Sequence, residues 1–184
     1  MRARSIVSLI LSLAAIPHGA NAEVTSSSAS GFISEHVVII AAPRARVFQS
    51  LTDEVGRWWD PNHSYSGDAA NFSIDTRPSG CFCERLKDGS VAHMTVVAVQ
   101  RNTLLRMLGG LGPLQQMAVS GSMTFSLGDA DGGATRLHYT YAVGGYSPDG
   151  LDKLAVPVDQ VQLGQLQRLQ RYVETDNPEL PAAR

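Results

Sequence analysis

The residues with the most chemistry in this chain fall in one short run. Cys81, Phe82, Cys83 and Glu84 are consecutive, and His93 follows closely. A Glu and a His within hydrogen-bond reach make an acid–base pair, able to move a proton on an activated carbonyl compound. Two thiols one residue apart read as a redox pair, as part of a metal site, or as two small apolar side chains. In an extended strand, Cα atoms two residues apart lie ~6.6–6.8 Å from each other. Disulfides prefer ~5.5–6 Å. A bridge within the strand is therefore disfavoured, and two buried thiols are expected. Whether Glu84 and His93 face inward is open, because the run at 91–100 is apolar on both faces: His93, Thr95, Val97 and Val99 on one, Met94, Val96 and Ala98 on the other.

Further polar groups sit where they could orient a ligand. Trp58 and Trp59 are adjacent, so on a helical turn they point ~100° apart. One is expected to plug the core and the other to border a cavity mouth. Tyr139 and Tyr141 share a strand face with Leu137 and Val143, which predicts that they point inward. Gln162 and Gln165 interrupt the apolar stripe of a long helix. They either bond backbone at the sheet edge or project into a cavity, since buried amides need partners. His36 and His138 are expected to face outward. Other machinery is missing from the sequence: there is no G-x-S-x-G elbow, phosphate loop, G-x-G-x-x-G, H-E-x-x-H or C-x-x-C. No metal and no cofactor is expected.

These groups need a scaffold, and composition bounds it. The chain has 184 residues, 43% apolar and 17% charged, with net charge −2. That is too apolar for a disordered chain, and not basic enough for a sequence-independent grip on nucleic acid. Nothing approaches 18 consecutive apolar residues, so no membrane-spanning helix is expected. Arg2 and Arg4, the apolar run 6–16, and Ala20-Asn21-Ala22 follow the order of a secretory signal peptide. The reading assigns 1–22 to that signal, cut after Ala22, 23–31 to a flexible lead, 32–176 to one domain and 177–184 to a flexible tail. The expected location is secreted or periplasmic.

Within the domain, residues 32–42 are β-branched and apolar, and Pro43 opens a short helix over 44–52. A helical turn carries the tryptophans. From residue 73 onward short strands are joined by turns, including Lys87-Asp88-Gly89 and Asp131-Gly132-Gly133, which predicts an antiparallel meander. After Gly150 the period changes to that of a helix, with Leu154, Ala155, Val158, Leu169, Tyr172 and Val173 on one side. Pro157 either kinks this helix or opens its main segment.

The order of these pieces resembles the START-like, or SRPBCC, helix-grip superfamily. The matching segments are Ile39 to Pro43, Val47 to Asp53, Arg57-Trp58-Trp59, Gly80 to Glu84, Asp88-Gly89 and Gly133 to Leu137. The likeness is greatest to the branch of heat-shock-ATPase-activator homologues and polyketide cyclase-like proteins. It implies an α+β fold, a curved antiparallel sheet around a long C-terminal helix, with two short helices after the first strand and a cavity between sheet and helix. The leading expectation is an exported protein that binds a small hydrophobic or aromatic ligand. Trp58, Trp59, Glu84, His93, Tyr139, Tyr141, Gln162 and Gln165 would contact that ligand. One alternative is a cyclase, dehydratase or hydrolase using Glu84 and His93. Another is an envelope interaction module, such as a homodimer, with no small ligand.

Overall fold

A computed structural model describes residues 22–180. The expected leader therefore lies outside the described residues, apart from Ala22. Eight antiparallel strands form one open sheet: β1 (Ala22–Ser28), β2 (Gly31–Ile40), β3 (Phe72–Ile74), β4 (Cys81–Leu86), β5 (Gly89–Gln100), β6 (Leu104–Gly109), β7 (Ala118–Asp129) and β8 (Thr135–Tyr146). Their spatial order is β1-β2-β8-β7-β6-β5-β4-β3. Two short helices, α1 (Arg44–Asp53) and α2 (Val55–Trp58), follow β2, and α3 (Asp152–Thr175) closes the chain. This is the helix-grip α+β architecture. No helix among the described residues is long and apolar enough to cross a membrane.

Local chemistry accounts for most of these elements. Pro43 precedes the first turn of α1, where its missing N–H costs nothing. α1 buries Val47, Phe48 and Leu51, and the Trp58 indole donates to the Ser50 carbonyl at 2.8 Å, tying α2 beneath it. The Lys87-Asp88 turn joins β4 to β5, with Leu86 facing Gly89. Strict alternation holds in β7, where Gly121, Met123, Phe125 and Leu127 are buried, and in β8, where Leu137, Tyr139, Tyr141 and Val143 are. Each large apolar side chain fully buried there stabilises the fold by ~1.5–3 kcal/mol. Pro157 lies inside α3, which begins at Asp152 and runs on past it. The Lys153 carbonyl loses its helical donor there, and Lys153 is exposed, so water can replace that bond.

Four sequence expectations are corrected. The lead at 23–31 is not loose: Ala22–Ser28 pairs with β2 as an edge strand, because its polar side chains need no burial to complete a ladder of backbone bonds. The tail folds back at 177–180, where the Arg171 guanidinium donates to the Pro178 carbonyl at 2.7 Å and Arg168 pairs with Glu179 at 2.8 Å. Cys81 and Cys83 are joined as a disulfide. Their Cα atoms are 5.3 Å apart, closer than in a fully extended strand and within bridging range, beside a β-bulge in the pairing of β4 with β5, between the pairs Phe82–Met94 and Cys83–Ala92. His36 is buried, 1% exposed, whereas His138 faces out and pairs with Glu35 at 2.6 Å.

That bulge lies on β5 and decides which of its side chains face inward. His93 is the extra residue opposite the Phe82–Cys83 step. Both His93 and its neighbour Met94 are buried, whereas regular alternation would send them to opposite faces of the sheet. A second irregularity, between Val96 and Ala98, leaves Val97 out of the pairing and exposed.

Candidate functional site

A cavity of about 500 Å³ lies between the N-terminal half of α3 and the open end of the sheet. Its aromatic wall is Trp59, Tyr65 and Phe72; its aliphatic side includes Leu114, Leu154 and Val158. Its polar side chains are Asn62, His63, Ser64, His93 and Gln162, and none of the lining residues is Lys, Arg, Asp or Glu. Exposed Tyr65 stands at the rim, where its hydroxyl donates to the Gly112 carbonyl at 3.2 Å, linking two loops across it.

Three of the eight predicted ligand contacts line this cavity: Trp59, His93 and Gln162. Trp59 packs edge-on to Phe82, with centroids 5.3 Å apart, and its indole donates to the His63 carbonyl at 3.0 Å. Trp58, the last residue of α2, is buried in the core away from the cavity, and Trp59, its C-cap residue with extended backbone, turns to the cavity wall. The Gln162 carbonyl oxygen accepts from the Tyr139 hydroxyl at 2.9 Å.

The other five do not line the cavity. Glu84 is fully buried, and its carboxylate accepts the backbone N–H of Tyr65 at 3.1 Å and of Ser66 at 2.5 Å. It also meets His93 Nε2 at 3.0 Å. Tyr139 lies behind Gln162, enclosed by the sheet and α3. The Tyr141 hydroxyl donates to the Gly109 carbonyl at 3.2 Å and accepts from the Leu111 N–H at 3.1 Å, which fixes the loop after β6. Gln165 bonds backbone, accepting from the Asp60 N–H at 3.0 Å, and faces a different, polar groove.

Electrostatics follow from these positions. Burial pushes the Glu84 carboxyl up, but the Ser66 and Tyr65 donors together with His93 outweigh it and hold it below the usual range. Burial lowers the His93 imidazole below its usual value, although Glu84 opposes the shift. The aromatic surround supplies that burial: His93 stacks on Tyr65 at 5.8 Å and packs near Phe72 at 5.3 Å and Phe82 at 5.5 Å. Burial raises Tyr139 well above its ordinary value and pushes Tyr141 up to about 12.

One polar cluster was not anticipated. Ser34, His36 and Asp159 are all buried between β2 and α3. The Ser34 hydroxyl donates to Asp159 Oδ1 at 2.6 Å, and His36 Nε2 meets the same oxygen at 2.9 Å. Ser34 gives its proton to the carboxylate, so the imidazole does not activate it as a nucleophile. None of the three lines the cavity. Ser34 and His36 do share the parity of Phe32, Val38 and Ile40, which was the available signal. Asp159 lies ~80° around the helix from Leu151, at the margin of the apolar stripe. Tyr65 carried no sequence signal, because it lies in an irregular segment.

Among the described residues, no group of three or more His, Cys, Asp or Glu side chains is placed to hold a metal ion. No family model matches the chain, and no curated protein matches it. Solved structures do match. A protein from Rhizobium leguminosarum superposes with TM-score 0.55 at 20% identity, over 81% of this chain and 99% of its own. CalU16 from Micromonospora echinospora gives TM-score 0.55 at 15% identity, over 86% of each chain. Ara h 8.0201 gives TM-score 0.55 at 16% identity, over 77% of this chain and 96% of its own. At these identities the likeness establishes the helix-grip fold alone.

Proposed function

We propose that this protein is an exported binder of a small hydrophobic or aromatic molecule, held between the sheet and α3, and that it belongs to the branch of heat-shock-ATPase-activator homologues and polyketide cyclase-like proteins in the superfamily it resembles. The observation that carries the reading is the cavity itself: about 500 Å³, walled by Trp59, Tyr65 and Phe72. Its volume lies within the ~300–1,000 Å³ common for small-molecule sites. Burying apolar ligand surface there contributes ~25 cal/mol per Å². Export is supported by the order of Arg2, Arg4, the apolar run and Ala20-Asn21-Ala22. The cut after Ala22 would remove only the first residue of β1. The Cys81–Cys83 bridge fits an oxidising compartment.

An acid–base enzyme is the second reading, and one observation favours it: His93 lines the cavity with Glu84 bonded behind it. Glu84 already accepts three hydrogen bonds and does not line the cavity, so the chemistry would rest on His93 as base, with Glu84 holding the imidazole.

Native mass spectrometry of protein purified from the host's exported fraction tests both. The binding reading expects a noncovalent adduct, identical before and after prolonged incubation, that leaves on denaturation. An adduct whose mass changes on incubation with the native protein, but not with a His93→Ala variant, would move the enzyme reading to first place. A clean apo mass, with no retention of aromatic probes added afterwards, would sink the binding reading.

A further inference from the structure

We infer that the cavity selects an uncharged ligand bearing a carbonyl or ether oxygen, and that the side-chain amide N–H of Gln162, positioned by Tyr139, is the donor that recognises it. This rests on the cavity being a ligand site.

The argument starts from Tyr139. Its ring is buried, stacked on His36 at 6.0 Å and tilted against Phe125 at 5.1 Å. A phenol has one proton to donate, and leaving it unplaced in the interior is costly. The acceptor it finds is Gln162 Oε1 at 2.9 Å. That bond fixes the amide: oxygen toward the sheet, nitrogen turned away from Tyr139. Gln162 is only 4% exposed, yet it lines the cavity, and among the described residues its Nε2 has no hydrogen-bond partner. An amide nitrogen on the cavity wall, with two protons that no protein acceptor takes, is a donor available to a ligand.

The rest of the lining sets the charge of that acceptor. No Lys or Arg borders the cavity and its second histidine, His63, is exposed to solvent, so a carboxylate or phosphate held in the interior would leave water without a buried counter-ion. His93 does not supply one, since burial disfavours its protonated form. The Glu84 carboxylate, 3.0 Å behind that imidazole, makes the wall still less hospitable to an anion. No carboxylate lines the cavity to balance a cation either. What fits is a flat apolar body against Trp59 and Phe72, with one neutral oxygen directed at α3.

Three ring-matched probes test this: acetylnaphthalene, the hydrocarbon ethylnaphthalene and the anion naphthoate, measured by equilibrium dialysis against the full domain at neutral pH. The wild-type protein should bind the ketone at least tenfold more tightly than naphthoate. Gln162→Met should weaken the ketone about five- to tenfold and change ethylnaphthalene less than twofold. Tyr139→Phe, which releases the amide without removing it, should weaken the ketone selectively by a smaller factor. The infrared carbonyl stretch of bound acetylnaphthalene should shift upward in Gln162→Met, a signature that altered packing alone would not produce. Near-UV circular dichroism establishes that each variant is folded; if one is not, the other carries the test. If both neutral probes bind but the variants affect them equally, or the stretch does not move, the role of Gln162 is overturned and the ligand site stands. Naphthoate binding as tightly as the ketone overturns the charge selection. Failure of all three probes to bind wild-type protein overturns the ligand-site reading itself.

Discussion

Glu84 and His93 meet at 3.0 Å, but only the imidazole borders the cavity; the carboxylate turns away from it and holds the backbone of Tyr65 and Ser66. Glu84 is thus a fastener for the loop that carries the aromatic rim. Glu84→Gln replaces one acceptor oxygen with an NH2 facing N–H donors. We expect it to destabilise the protein by about 3 kcal/mol. Urea unfolding measures this, and a change below ~1 kcal/mol would show that the loop is held by other means.

The same pair sets the acid response. Both groups have folded pKa values below their unfolded ones. The unfolded chain therefore binds more protons, and stability falls as pH falls. The His93 contribution is complete above its unfolded value near pH 6.5 and is lost progressively below it; the Glu84 contribution is complete above about pH 4.5 and is lost below that. Stability against urea should decline in two stages on acidification. In His93→Phe the upper stage should be missing, and a variant that keeps it would assign that stage to another group.

How much of this was legible in the sequence depended on whether alternation held. In β8 one period-two face carried Leu137, Tyr139, Tyr141 and Val143, and the structure buries all four. Gln162 and Gln165 were readable as buried amides because a helix has one period from end to end. β5 was not readable: His93 and Met94 are both inside, and a bulge leaves no mark in a run apolar on both faces. The Cys81–Cys83 bridge was not legible because the distance argument assumes a fully extended strand, and the two Cα atoms are 5.3 Å apart. His36 was misplaced because a histidine among apolar residues reads as outward unless its partner is known, and Asp159 lies more than a hundred residues away.

Gly121 is required by a ring, not by a turn. A Cβ there would stand 2.5 Å from the Tyr141 ring and 3.0 Å from the Ala142 carbonyl oxygen. Tyr141 cannot yield easily, because it is fully buried and its hydroxyl ties Gly109 and Leu111 together. Gly121→Ala should cost about 1–3 kcal/mol. It should also disturb the cavity wall at Leu111 and Leu114, so ketone-probe affinity should drop with stability. Unaltered urea unfolding would show that the strand absorbs the methyl group.

Among the described residues Asp159 is the acceptor that joins Ser34 and His36 to α3, since both bond the same oxygen. Its removal leaves a buried hydroxyl and a buried imidazole without their shared partner. Asp159→Ala should therefore destabilise by about 3 kcal/mol, more than a methyl-for-carboxylate exchange at an exposed helix position would. Because His36 stacks on Tyr139, which in turn orients Gln162, the loss should extend to ketone-probe binding. A variant carrying Ser34→Ala, His36→Phe and Asp159→Leu together separates the two effects. Replacing a whole buried polar group by apolar side chains of similar volume is often neutral, so its stability should recover most of the loss. Recovery of stability with probe binding restored would assign the cluster to packing alone. Recovery without restored binding would show that the bonded cluster, beyond filling space, keeps Tyr139 in the position from which it orients Gln162.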